Sequence, residues 1–161
     1  MAAKEIKVEV LLHEESVDNL PKPIQALITE ALKARANSYA PYSNFPVGAA
    51  VLLENGQVVQ GNNQENAAYP SGLCAERTAL FASRAVHPKQ KITAIAVCVK
   101  QSAKHVPFPC GGCLQVMAEV EQSQDFPLAV YLIHHDAQTV WRAKNVGQLL
   151  PFAFGAKHLK D

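Results

Sequence analysis

The chain has 161 residues, 48% of them hydrophobic and 18% charged, which suits one globular domain with its own core and excludes disordered or fibrous classes. A formal net charge of +1, with Lys and Arg scattered and no cluster thicker than Lys89 and Lys91, argues against nucleic acid or an anionic membrane as partner. No stretch approaches the ~20 apolar residues of a membrane span, and four cysteines without an export signal predict a reducing, cytoplasmic setting.

In chain order, Ile6, Val8 and Val10 alternate with Lys7 and Glu9, which predicts a short half-buried strand within an N-terminal extension, residues 1–19, of a single domain covering 1–161. Asp18-Asn19 offers a helix N-cap, and Pro21 and Pro23 suit a first turn. Ile24, Leu27, Ile28, Ala31 and Leu32 then form one apolar face of a helix ending near Ser38. PVGAAVLLENGQVVQG reads as two strands around the Asn55-Gly56 turn. After the polar connector NNQENAAYPSG, CAERTALFASRAV has helical composition and KITAIAVCVK reads as a buried strand. Pro109 opens a second helix on which Cys113, Val116, Met117 and Val120 share a face; PLAVYLI and QTVWRA follow as strands.

This order, β-β-α-β-α-β-β behind a leading helix, predicts a mixed sheet covered on both faces. Only His134, His135, Asp136 and Ala137 separate the last two strands. A parallel crossover needs a dozen or more residues, so this pair must be antiparallel.

The cysteines hold the chemistry. Cys110 and Cys113 form a Cys-x-x-Cys pair at a helix start, compatible with a redox couple, half of a structural zinc site, or part of a catalytic metal centre. Cys74 stands at the start of the other core helix. Helix N-termini favour thiolate, and two such helices packed side by side would bring three thiolates to one point. Three protein ligands leave one tetrahedral position open, as in catalytic zinc sites. Cys98, inside AIAVCV, reads as a core residue; as a fourth ligand it would close the site. Glu76 lies two residues past Cys74, where it could reach the open position without binding metal, and Arg77 could offset the formal negative charge of a three-thiolate zinc.

Cys74-Ala75-Glu76 with Pro109-Cys110-Gly111-Gly112-Cys113 resembles the zinc deaminase signature. PYSNFPVGAAV, GNNQENAAYPSGLCAERTALF and LLPFAFG extend the likeness to the short-chain cytidine deaminases over roughly residues 20–158. The resemblance implies a three-layer α-β-α sandwich around a mixed five-stranded sheet. It implies one zinc per subunit on Cys74, Cys110 and Cys113, and Glu76 as the proton shuttle for hydrolytic deamination of cytidine and 2′-deoxycytidine in pyrimidine salvage.

By the same resemblance, the Ala75 N–H holds the pyrimidine O2, Phe45 packs against the base, and Asn63 and Glu65 hydrogen-bond the ribose 3′-hydroxyl. Ala67, Tyr69 and Phe154 match positions that reach a neighbouring subunit's pocket, which implies a homotetramer with composite sites. Two positions depart from the family pattern: Leu114 stands where Arg is frequent, and the tail AKHLKD replaces the usual Pro-acidic continuation.

Two other readings stay in play. A deaminase acting within RNA or DNA would need the basic surface this chain lacks. A non-catalytic zinc module would need Cys98 as a fourth ligand. His134 and His135 read as solvent-exposed turn residues, and His13, His87, His105 and His158 lie in polar or terminal stretches.

Overall fold

The computed structural model describes residues 3–99, 106, 108–134 and 136–159, so His105 and His135 lie outside the described residues. Its elements run β1 (His13–Ser16), α1 (Lys22–Ala36), β2 (Val47–Leu53), β3 (Val58–Asn62), α2 (Ala75–Val86), β4 (Ile92–Val99), α3 (Gly111–Gln124), β5 (Ala129–Ile133) and β6 (Thr139–Ala143). Short 3-10 turns cover Val17–Asn19, Tyr69–Ser71, Val146–Gln148 and Ala156–Leu159.

Side-chain alternation along the central strands decides the layering. In β2, Ala49 and Val51 join the cluster under α2 and α3, while Ala50 and Leu52 join the cluster under α1. β4 divides in the same way, with Ile95 and Val97 on the first side and Ala94, Ala96 and Cys98 on the second. The expected α-β-α sandwich follows. Two glycines let the helices approach: a Cβ at Gly48 would stand 2.2 Å from the Ala31 carbonyl oxygen in α1, and one at Gly61 would stand 2.4 Å from the Ala79 nitrogen in α2.

Among the described residues the sheet has six strands, in the order β1-β6-β5-β4-β2-β3. β4 and β5 pair parallel across the α3 crossover, and the β5–β6 pair is antiparallel as its five-residue connection requires. The Asn55-Gly56 turn joins β2 and β3, with Gly56 at φ 85°.

The sixth strand corrects the five-strand expectation, and it does not lie where the alternation of Ile6, Val8 and Val10 placed it. β1 pairs antiparallel with β6 from His13↔Arg142 to Ser16↔Thr139. Residues 3–12 form no ladder: the β1–β6 register would put residues 3–11 beyond Ala143, the last residue of β6, and Ile6, Val8 and Val10 are exposed. The start of α1 also differs. Pro21 is the N-cap, and Asp18-Asn19 instead form a 3-10 turn that delivers Leu20 to the core. Proline lacks an N–H and has a fixed φ, so the helix begins directly behind it.

Topology sets the position of the site. β3 and β4 both run antiparallel to β2, hence parallel to each other, and each is followed by a helix packed on the same face. The N-termini of α2 and α3 therefore meet at one edge of the sheet, beyond the carboxyl ends of the strands that precede them.

Candidate metal centre and cavity

Cys74 is the N-cap of α2 and Cys110 the N-cap of α3, both with extended backbone, and Cys113 sits buried in the first turn of α3. Their three Sγ atoms lie within 4.8 Å of one another, and Cys110 and Cys113 are 3.6 Å apart. A tetrahedral zinc with bonds of about 2.3 Å requires sulfur–sulfur separations of about 3.8 Å, so the donor set fits zinc in both chemistry and spacing. Leu114, where an Arg was the alternative, packs as a partly buried side chain against the core.

The thiols are electrostatically unequal. Hydrogen bonding from Cys113, then the Arg77 guanidinium, hold Cys74 down to about 5, against the opposing effect of burial. Cys113 is pushed up, first by that shared hydrogen bond and then by burial and the nearby Glu76. Arg77 Nη2 donates to Cys74 Sγ at 3.6 Å, next to the position it was expected to neutralise. Glu76, in the first turn of α2, is only 5% exposed, and burial raises its carboxyl above the usual range.

A cavity of about 730 Å³ opens at this point, lined by Phe45, Asn63, Glu65, Cys74, Ala75, Glu76 and Cys110 among others. Seven of the sequence-derived site residues therefore line one cavity. A second cavity of about 500 Å³ lies beyond Cys74, with Tyr42, Tyr69 and Arg77 in its lining, and shares Ser43, Asn63, Glu65 and Cys74 with the first. Ala67 and Phe154 line neither cavity. Ala67 is exposed, and Phe154 is exposed and stacks on His158 at 5.3 Å.

Asn63 and Glu65 hold the loop that carries Phe45. Asn63 Oδ1 accepts from the Val47 N–H at 2.8 Å, and its Nδ2 donates to the Phe45 carbonyl at 3.0 Å. Glu65 Oε2 accepts from the Tyr42 and Ser43 N–H groups at 2.9 and 3.2 Å, and its Oε1 accepts from the Ser43 hydroxyl. These bonds, that from Ser43 foremost, keep the Glu65 carboxyl below the ordinary carboxylate range.

Ser43, Val106 and Phe108 also line the main cavity, although the sequence reading did not single them out. The available signal for Phe108 was an aromatic two residues ahead of Cys110; for Ser43 it was a turn residue between Tyr42 and Phe45. Cys98 points to the α1 side, away from the other three cysteines. His134 is half-buried rather than solvent-exposed, with its ring edge-on to Trp141 at 5.6 Å, because the β5–β6 turn folds it over the neighbouring strand. No described helix is long and apolar enough to cross a membrane.

Residues 21–127 match the family described as the cytidine and deoxycytidylate deaminase zinc-binding region. The chain is similar to a cytidine deaminase of Halalkalibacterium halodurans, with 45% identity over 139 residues, 85% of this chain and 98% of that one. A cytidine deaminase of Mycobacterium tuberculosis is 38% identical over 129 residues, 80% of this chain and 87% of that one. The crystal structure of cytidine deaminase from Burkholderia pseudomallei superposes with a TM-score of 0.71 at 42% identity, covering 81% of this chain and 98% of that one.

Proposed function

The chain belongs to the cytidine and deoxycytidylate deaminase family, and from that membership we propose that it hydrolyses the C4 amino group of cytidine and 2′-deoxycytidine. The products are uridine or 2′-deoxyuridine and ammonia, an activity that serves pyrimidine salvage in the cytoplasm. The observation that carries this reading is the buried Glu76 lining the same cavity as Cys74 and Cys110.

Cys74, Cys110 and Cys113 would hold the zinc, which when bound supplies the Lewis acidity that makes water reactive at neutral pH. Glu76 takes a proton from the attacking water and delivers it to N3 of the base as the C4–O bond forms. It then takes the second water proton from the new C4 hydroxyl and passes it to the amino group as the C4 carbonyl forms and the C4–N bond breaks, so water and cytidine balance against uridine and ammonia. Burial raises its carboxyl above the usual range, which favours the proton uptake this role requires.

Ala75 is the first residue of α2, and its N–H has no carbonyl partner within the helix. That donor suits the pyrimidine O2 and needs no rearrangement during the reaction. Phe45 packs on the base, while Asn63 and Glu65 face the sugar from the shared wall of the two cavities. Arg77 and the two helix N-termini offset the negative charge of three thiolates. The exposure of Ala67, Tyr69 and Phe154 supports their contact with a neighbouring copy in a homotetramer.

The test is ultraviolet loss of cytidine by the purified chain, run beside Glu76→Gln, with zinc per chain determined on both. Activity in the wild type alone, with about one zinc in each, is the expected result. Near-normal turnover by Glu76→Gln would overturn the mechanism, since such groups contribute typically ~10²–10⁴-fold. Zinc in both with no turnover in either would overturn cytidine as the substrate.

A further inference from the structure

The loop between Ala40 and Pro46 carries Phe45 into the main cavity without belonging to helix or strand. Asn44 within it adopts φ 53°, a left-handed conformation that the backbone by itself does not favour. The loop is held mainly by side chains arriving from the segment after β3. Asn63 grips its far end through the Phe45 carbonyl and the Val47 N–H. Glu65 grips its near end through the N–H groups of Tyr42 and Ser43.

One hydroxyl joins the two ends. Ser43 Oγ donates to Glu65 Oε1 and accepts from the Phe45 N–H at 3.0 Å. A hydroxyl has one proton to give and lone pairs to receive, and here both capacities are used in opposite directions. Ser43 also lies on the wall common to both cavities, so it borders the base side and the sugar side together.

We propose that Ser43 is a positioning residue for nucleoside binding: it ties the Glu65 carboxylate to the backbone of Phe45, so that the sugar-facing acid and the base-facing ring are held as one unit. This rests on the functional reading above. Alanine at 43 would remove both bonds, leaving the Phe45 N–H without its partner and Glu65 with only its two backbone donors. Threonine would keep both bonds, and residue 43 is exposed enough to take the extra methyl.

The contribution is to binding rather than to the chemical step, so the loss belongs in KM with kcat retained. Hydrogen bonds to a charged group are worth enough that the expected increase is about tenfold. The experiment measures kcat and KM for cytidine, uridine affinity by calorimetry and zinc per chain on wild type, Ser43→Ala, Ser43→Thr, Phe45→Ala and the Ser43→Ala/Phe45→Ala double variant.

Expected are a KM for Ser43→Ala raised about tenfold with kcat within about twofold of wild type, full zinc, and recovery in Ser43→Thr. In the Phe45→Ala background the Ser43 substitution should add about twofold or less, because the ring it positions is gone. A merely structural serine would give additive losses, and additivity in an active enzyme overturns the role of Ser43 alone; so does an unchanged KM in Ser43→Ala. A wild-type chain that neither turns over cytidine nor binds uridine overturns the functional reading and this proposal with it.

Discussion

The Cys98 thiol donates a 3.2 Å hydrogen bond to the Ala31 carbonyl of α1, on the opposite side of the sheet from Cys74, Cys110 and Cys113. Its strand neighbour Val97 faces the other way and lines the main cavity. One step along a strand thus separates a core thiol from the metal side. Cys98 cannot serve as a fourth ligand without turning β4 over, which removes the closed-site, purely structural reading of the zinc.

Cys98→Ala is therefore expected to bind the same zinc per chain as wild type, measured by metal analysis on the purified proteins. Burial pushes the Cys98 thiol up to about 11, so at pH 8 only ~10⁻³ of it is thiolate and it should resist alkylation in the folded chain. A pKa raised on folding stabilises below the unfolded value and loses that contribution as pH rises through the folded one. Wild type should consequently lose stability between about pH 9 and 11 more steeply than Cys98→Ala. Zinc loss in Cys98→Ala, or rapid labelling of Cys98 in the native chain, would contradict its position.

Cys110 is exposed at the mouth of α3, so Cys110→Ser should fold while losing most of its zinc. The hydroxyl of serine is a far poorer zinc ligand than thiolate. Metal analysis beside circular dichroism separates the two effects. A folded Cys110→Ser chain with a full zinc complement would show that this cysteine does not hold the ion.

Gly61 lies beneath α2, where an added Cβ would meet the Ala75 carbonyl oxygen at 2.6 Å as well as the Ala79 nitrogen at 2.4 Å. These are backbone atoms and cannot rotate away. Gly61→Ala should cost about 1–3 kcal/mol, a fall of roughly 3–10 °C in Tm for a chain of this size. Because the displaced turn carries Ala75 and Glu76, kcat should fall as well. An unchanged Tm would mean that α2 lifts off the sheet without cost.

Phe45→Ala should raise KM for cytidine while leaving zinc content and fold unchanged, since the ring is 41% exposed and contributes to the cavity wall rather than to the core. Thermal melts and steady-state kinetics on the same preparation provide the check. A large drop in Tm with unaltered KM would return Phe45 to an ordinary packing role.

What the sequence determined by itself was local or nearly so. The turn at Asn55-Gly56 follows from glycine at φ 85°, the apolar face of α1 from its helical period, and the antiparallel β5–β6 pair from a connection too short for a crossover. The metal centre was legible for a related reason. Its ligands sit at helix starts, where chain position alone predicts unpaired N–H groups and a favoured thiolate. Tertiary structure decided what depends on partners far away in the chain. Apolar–polar alternation occurs at residues 6–10 and is absent from His13–Ser16, yet the latter form the strand because, of these two segments, it is His13–Ser16 that reach β6, where the Glu15–Arg142 pair spans 127 residues. The side of the sheet occupied by Cys98, the close approach of α2 over Gly61, and the bond from Ser43 to Glu65 are likewise relations between segments. Local periodicity records which side chains share a face; only the assembled sheet determines what that face meets.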